Sequence, residues 1–128
     1  MRSLFVFIGI ILFTTVFQFS LFAQGAITGV EAIAYDHHIE VTWEPSPNPT
    51  VSNVRVFGST DGTVYTSLGS INNFQGNYID FVGDFDVTKS YYIRAVGSNG
   101  QLGTPSDTVS ATTFEMNDSM LLDMVQEY

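Results

Sequence analysis

The sequence predicts an all-β domain, a small antiparallel sandwich of seven strands. Two observations carry this prediction. In His38-Ile39-Glu40-Val41-Thr42-Trp43-Glu44, the apolar side chains of Ile39, Val41 and Trp43 share one strand face, the polar ones take the other, and Pro45 ends the run. Short β-rich segments then recur as far as Thr113, separated by turn residues at the spacing of an antiparallel sandwich.

Taken in order, Val30–Ala34 alternates weakly and is the expected first strand, with Val30, Ala32 and Ala34 inward. Asp36-His37 turns the chain into the Trp43 strand. Pro45, Pro47 and Pro49 make the next loop rigid and unable to donate to a ladder. Val54–Phe57 is the third strand. Ser59-Thr60-Asp61-Gly62 is read as a hairpin turn, because Asp-Gly supplies positive φ, and Val64–Leu68 as the fourth strand. Ile71–Gly76 reads as a loop, Asn77–Val82 as the fifth strand and Gly83–Lys89 as a polar crossing pinned by Phe85. Tyr91–Val96 and the β-branched Ser106–Thr113 are the sixth and seventh strands. The expected core is Ile39, Val41, Trp43, Val54, Val56, Phe85, Tyr91 and Ile93.

The ends of the chain have a different composition. Leu4–Phe22 is almost continuously apolar after Met1-Arg2-Ser3, and Ala23 precedes Gln24-Gly25. Residues 1–23 therefore read as a signal-peptide helix cleaved after Ala23, with an uncleaved membrane anchor as the alternative. Either reading sends residues 24–128 out of the cytoplasm, to a secreted, periplasmic or cell-surface location, with membrane contact only through that segment. The sequence has no cysteine, so a disulfide framework is excluded and the sandwich holds by burial. Beyond residue 23, Arg55, Lys89 and Arg94 face thirteen acidic residues, a net charge of −10 that argues against nucleic acid and anionic membranes as partners.

After Phe114, Asn117-Asp118-Ser119 offers N-cap residues, and Met120, Leu121, Met124, Val125 and Tyr128 fall on one stripe of a short helix. Such a helix is too short to stand alone in water and needs a partner for its apolar face. Residues 115–128 are therefore expected to open a following domain, leaving 24–114 as the sandwich.

Residues 26–113 resemble a fibronectin type III domain, an immunoglobulin-like sandwich. Trp43 followed by Glu44-Pro45 matches the core Trp of its second strand. Val54–Phe57 with Ser59–Gly62 matches its third strand and hairpin, and Thr104–Thr113 its last strand in bacterial members. Phe85 and Tyr91 resemble the Leu and Tyr of its corner, with Val87-Thr88 in place of the common Pro-Gly. The resemblance implies a buried Tyr91 ring whose hydroxyl returns to nearby backbone. Met116–Tyr128 is similar to the opening helix of glucoamylase-like glycoside hydrolases of the Bacteroidetes type, which implies a helical catalytic barrel beyond Tyr128.

Side chains with chemical potential are few. Asp80, Asp84 and Asp86 bring oxygens together in sequence but fit no EF-hand loop, so no metal is expected. His37 and His38 are adjacent, so their side chains diverge, and no catalytic, zinc or cofactor set forms around them. Glu40 and Glu44 share an outward face with no pocket former nearby. Phe57, Tyr65, Phe74 and Tyr78 could stack on sugar rings, although aromatic residues in sandwiches more often form core or cross-strand pairs. The resulting expectation is an exported, noncatalytic accessory or spacer module whose partner is a following carbohydrate-active domain or a partner protein. A free-standing adhesion module that binds a glycan, such as a polysaccharide, or a protein is the alternative.

Overall fold

The computed structural model describes residues 25–117 and Met120. The proposed signal segment 1–23 lies outside the described residues, as do Leu121, Met124, Val125 and Tyr128 of the C-terminal stripe. Among the described residues seven strands form in chain order: β1 Thr28–Ala34, β2 His38–Glu44, β3 Val51–Ser59, β4 Thr66–Asn72, β5 Asn77–Phe81, β6 Thr88–Gly97 and β7 Val109–Thr112. They make two antiparallel sheets, β1-β2-β5 and β4-β3-β6-β7. The expected all-β sandwich is therefore the observed one.

The alternation along β2 sets the inside and the outside. Ile39, Val41 and Trp43 are buried, while Glu40 and Thr42 are half-buried and Glu44 exposed. Across the gap they meet Val54 and Val56 of β3 and Tyr91, Ile93 and Ala95 of β6, all fully buried. Val30 and Ala32 of β1 pack against this cluster from the edge. Burial of these side chains is the main favourable term available to a cysteine-free domain. Phe85, expected in the core, is not part of it. It is half-buried outside the cluster, with its ring 4.5 Å from the His37 ring. The sequence gap from Phe85 to Tyr91 suits a corner, but the loop carrying Phe85 turns its ring toward the β1–β2 turn.

The third and sixth strands run longer than expected at both ends, as Val51–Ser59 and Thr88–Gly97, and other departures have local reasons. Val64 is 68% exposed and lies in a wide turn, because Asp61 Oδ1 accepts from the Thr63 and Val64 amides (2.8 and 2.9 Å) and from Ser59 Oγ. Gly62 supplies positive φ (76°) inside that turn, not at the centre of a two-residue hairpin. The fourth strand consequently starts later and takes in Ile71 and Asn72. β7 is shorter than expected because Ser106 pairs with β6 through its own groups: its amide donates to Ile93 O, and its hydroxyl accepts from Ile93 N, both at 2.8 Å. At the opposite edge, β1 contains a bulge between Thr28 and Glu31, where Gly29 adopts φ 65° against the Glu44 side chain.

Candidate functional site

The end of the sandwich where the chain leaves β7 gathers three segments: 35–38, 81–87 and 112–114. Backbone bonds stitch them together. His37 O accepts from the amides of Val82 and Gly83 (2.9 Å each), Asp86 N donates to Thr113 O (2.9 Å), and Phe114 N donates to Tyr35 O (3.2 Å). Thr113, fully buried, closes the junction with a hydroxyl that donates to Asp84 O (2.8 Å) and accepts from Val87 N (3.0 Å).

Aromatic rings collect around this junction. Tyr35 and His38 stack with centroids 4.5 Å apart and planes 10° from parallel, and His38 meets Phe81 at 5.9 Å. Strand register explains the cluster. His38 lies opposite Phe81, and one step along the sheet Glu40 lies between Ile33 and Ile79. The outer face of the three-stranded sheet thus shows two rows of large side chains. Phe81 is 79% exposed, and Ile33, Ile79 and Tyr35 are 41%, 41% and 37% exposed. At the rim, the His37 ring and amide beside Asp36 hold its carboxyl below the usual carboxylate range.

Beneath that face lies a buried polar knot that sequence reasoning did not find. Asp80 Oδ2 accepts from Tyr91 Oη at 2.8 Å and from Lys89 Nζ, joining β5 of one sheet to β6 of the other. Tyr91 is fully buried as expected, but its hydroxyl goes to this carboxylate and not to backbone. Burial, with the Asp80 bond and charge added, pushes the Tyr91 phenol above its ordinary value, and burial together with the Asp80 charge raises Tyr78. The separation of nine residues between Asp80 and Lys89 was the available signal, with both on inward-facing positions. Asp80 is therefore bound up in the core, while Asp84 and Asp86 sit in the exposed 82–87 loop. Among the described residues no group of three or more His, Cys, Asp or Glu side chains is placed to hold a metal ion.

The aromatic residues singled out for sugar stacking do not come together as one surface. Phe57 stacks on Tyr92 (4.9 Å, 17°), with Tyr65 tilted against Tyr92 at 4.8 Å, so these rings contact one another on the four-stranded sheet. Tyr78 packs against the core, and Phe74 stands 75% exposed on a 3₁₀ turn of residues Asn73–Gln75. Arg55 and Arg94 face each other in register next to the Phe57–Tyr92 pair, and Arg94 Nε donates to Gly103 O at 2.7 Å.

No protein-family model matches the chain. Solved structures nonetheless include a fibronectin type III domain of human contactin 1 (TM-score 0.62, 18% identity, 73% of this chain and 80% of that one). A Fn3-like protein of Clostridium thermocellum superposes with a TM-score of 0.56 at 23% identity, covering 74% of this chain and 98% of that one. This chain has the fibronectin type III fold. This chain also has an enzyme among the proteins it resembles. It is 37% identical over 97 residues to an exo β-1,2-glucooligosaccharide sophorohydrolase of Parabacteroides distasonis, covering 76% of this chain. A β-1,2-glucanase structure from the same organism matches with a TM-score of 0.65 at 32% identity, over 82% of this chain and 16% of that one. The chain spans only 14% of the length of the curated relative it matches.

Proposed function

We propose that this fibronectin type III module is an exported, noncatalytic accessory domain of a carbohydrate-active enzyme whose catalytic domain follows Tyr128. The observation that carries the reading is the 37% identity to a stretch making up 14% of a β-1,2-glucooligosaccharide hydrolase. A glucoamylase-like helical barrel is the proposed form of the following domain, on the strength of Met116–Tyr128. Met120, Leu121, Met124, Val125 and Tyr128 would be buried where the two domains meet. The apolar segment 4–22 supports export. Among the described residues no helix is long and apolar enough to cross a membrane.

The mechanism is mechanical. Two sheets locked by a closed core and the Asp80 knot make a stiff body, and a stiff body fixes the orientation of whatever is joined to it. The test is to express the gene's full reading frame with and without residues 24–114 and assay both on β-1,2-glucooligosaccharides. The intact protein should hydrolyse them, the deletion should lower its thermal stability or yield, and residues 24–128 alone should release no sugar. Hydrolysis by residues 24–128, or a reading frame with no hydrolase after Tyr128, would defeat the proposal.

The Phe57–Tyr65–Tyr92 rings beside two arginines favour the glycan-binding alternative. A polysaccharide pull-down with residues 24–128 separates the two. Retention that is lost in Phe57→Ala or Tyr65→Ala supports binding.

A further inference from the structure

We infer that the outer face of the β1-β2-β5 sheet, with Tyr35, His38 and Phe81 in one row and Ile33 and Ile79 in the next, is the docking surface for the chain's own C-terminal segment, Met120–Tyr128. The inference extends the accessory-domain reading by naming the surface on which the following part of the protein is held.

Four observations converge on this occupant. The face is apolar where an outward strand face should be polar: four of its five large side chains are more than a third exposed in a chain of net charge −9. The chain leaves the sandwich at the rim of this face, since Phe114 N is bonded to Tyr35 O. Asn117 Oδ1 then accepts from Met120 N at 3.1 Å, an N-cap bond that starts a helical turn three residues after Asn117. From there Met120, Leu121, Met124, Val125 and Tyr128 carry apolar side chains at helical spacing, with Asp123 and Gln126 on the other side and Glu127, seven residues after Met120, at the border of the stripe.

The dimensions agree. A helix of these nine residues is about 12 Å long, and two side-chain rows on a strand are about 7 Å apart, so the stripe covers both rows. Three strands at about 5 Å spacing give a face as wide as one helix. Neither surface is stable in water by itself: the helix is too short and the face too apolar. Each is what the other lacks. Glu40, between Ile33 and Ile79, is the acidic residue within the two rows.

The absence of cysteine makes a clean test possible. A nitroxide attached to Gln126→Cys in residues 24–128 reports on the Ile methyl groups by NMR. Docking predicts strong broadening of Ile33 and Ile79, with Ile71 on the opposite sheet spared. It also predicts that Phe81→Ser restores the Ile33 and Ile79 signals, and a ring this exposed can be removed without unfolding the domain. Broadening that is absent, or equal on both sheets, overturns the inference. Broadening that fades on dilution overturns it in favour of a second copy of the chain. The accessory-domain reading stands or falls separately, on the activity of the full reading frame.

Discussion

Tyr91 and Asp80 form a contact whose strength depends on one proton. The phenol is fully buried and its pKa is raised by burial and by the Asp80 carboxylate, so folding favours the neutral form. The sign follows directly. The stabilisation is complete below the unfolded tyrosine value of about 10 and declines as pH climbs beyond it, by up to about 1.4 kcal/mol per pH unit. Urea unfolding at about pH 8 and about pH 11 should show that loss, and Tyr91→Phe should flatten it. The same variant should cost about 1–2 kcal/mol at neutral pH, where it removes one of the two donors to Asp80. A profile as steep in Tyr91→Phe as in the parent would show that other groups govern the alkaline limb. Asn73 is a second residue with more than one bond. Fully buried, it accepts from Ser46 N and donates to Ser46 O, while its own carbonyl accepts from Trp43 Nε1. Asn73→Ala should therefore destabilise by about 1–2 kcal/mol in the same assay, by leaving the half-buried Ser46 backbone groups without these partners.

At the scale of elements, the strands were legible and the polar connections were not. β2 is readable because alternation and a following proline report burial directly. The core apart from Phe85 follows from the same pattern. The Asp61 turn, the Asn73 anchor and the Asp80 knot could not be read in this way. Each depends on which polar atom meets which partner across the fold, and periodicity has no term for that. The apolar outer face was also hidden, since Ile33, Ile79 and Phe81 are distant in sequence and meet only through register. The 82–87 loop offers a test at this scale. Asp86 adopts φ 54° while its amide holds Thr113 O at 2.9 Å. A left-handed conformation costs a non-glycine residue about 1–2 kcal/mol, and glycine costs roughly 0.5–1 kcal/mol in extra chain entropy. Asp86→Gly should therefore stabilise the domain by about 0.5–1 kcal/mol, whereas Asp86→Val should destabilise it. Denaturant midpoints for the pair decide the matter, and a Gly variant less stable than the parent would mean that the Asp side chain has a role beyond its backbone angle.

For the whole molecule, spacer and docked module differ in thermodynamics even where they agree in fold. A spacer joined by a free linker melts at its own temperature whether or not its neighbour is attached, because nothing binds its native state preferentially. A module whose apolar face is covered by the following segment gains stability from that contact, since anything that binds the folded form alone shifts the equilibrium toward it. The exposed rows Tyr35–His38–Phe81 and Ile33–Ile79 make the second case the expected one here. Calorimetry on residues 24–117, residues 24–128 and the full reading frame should show the sandwich melting at successively higher temperature. Phe81→Ser should narrow the differences while leaving residues 24–117 nearly unchanged, because in that form its ring has nothing to cover. Identical melting of the sandwich in all three would make the module a passive spacer, with its aromatic face left for another partner.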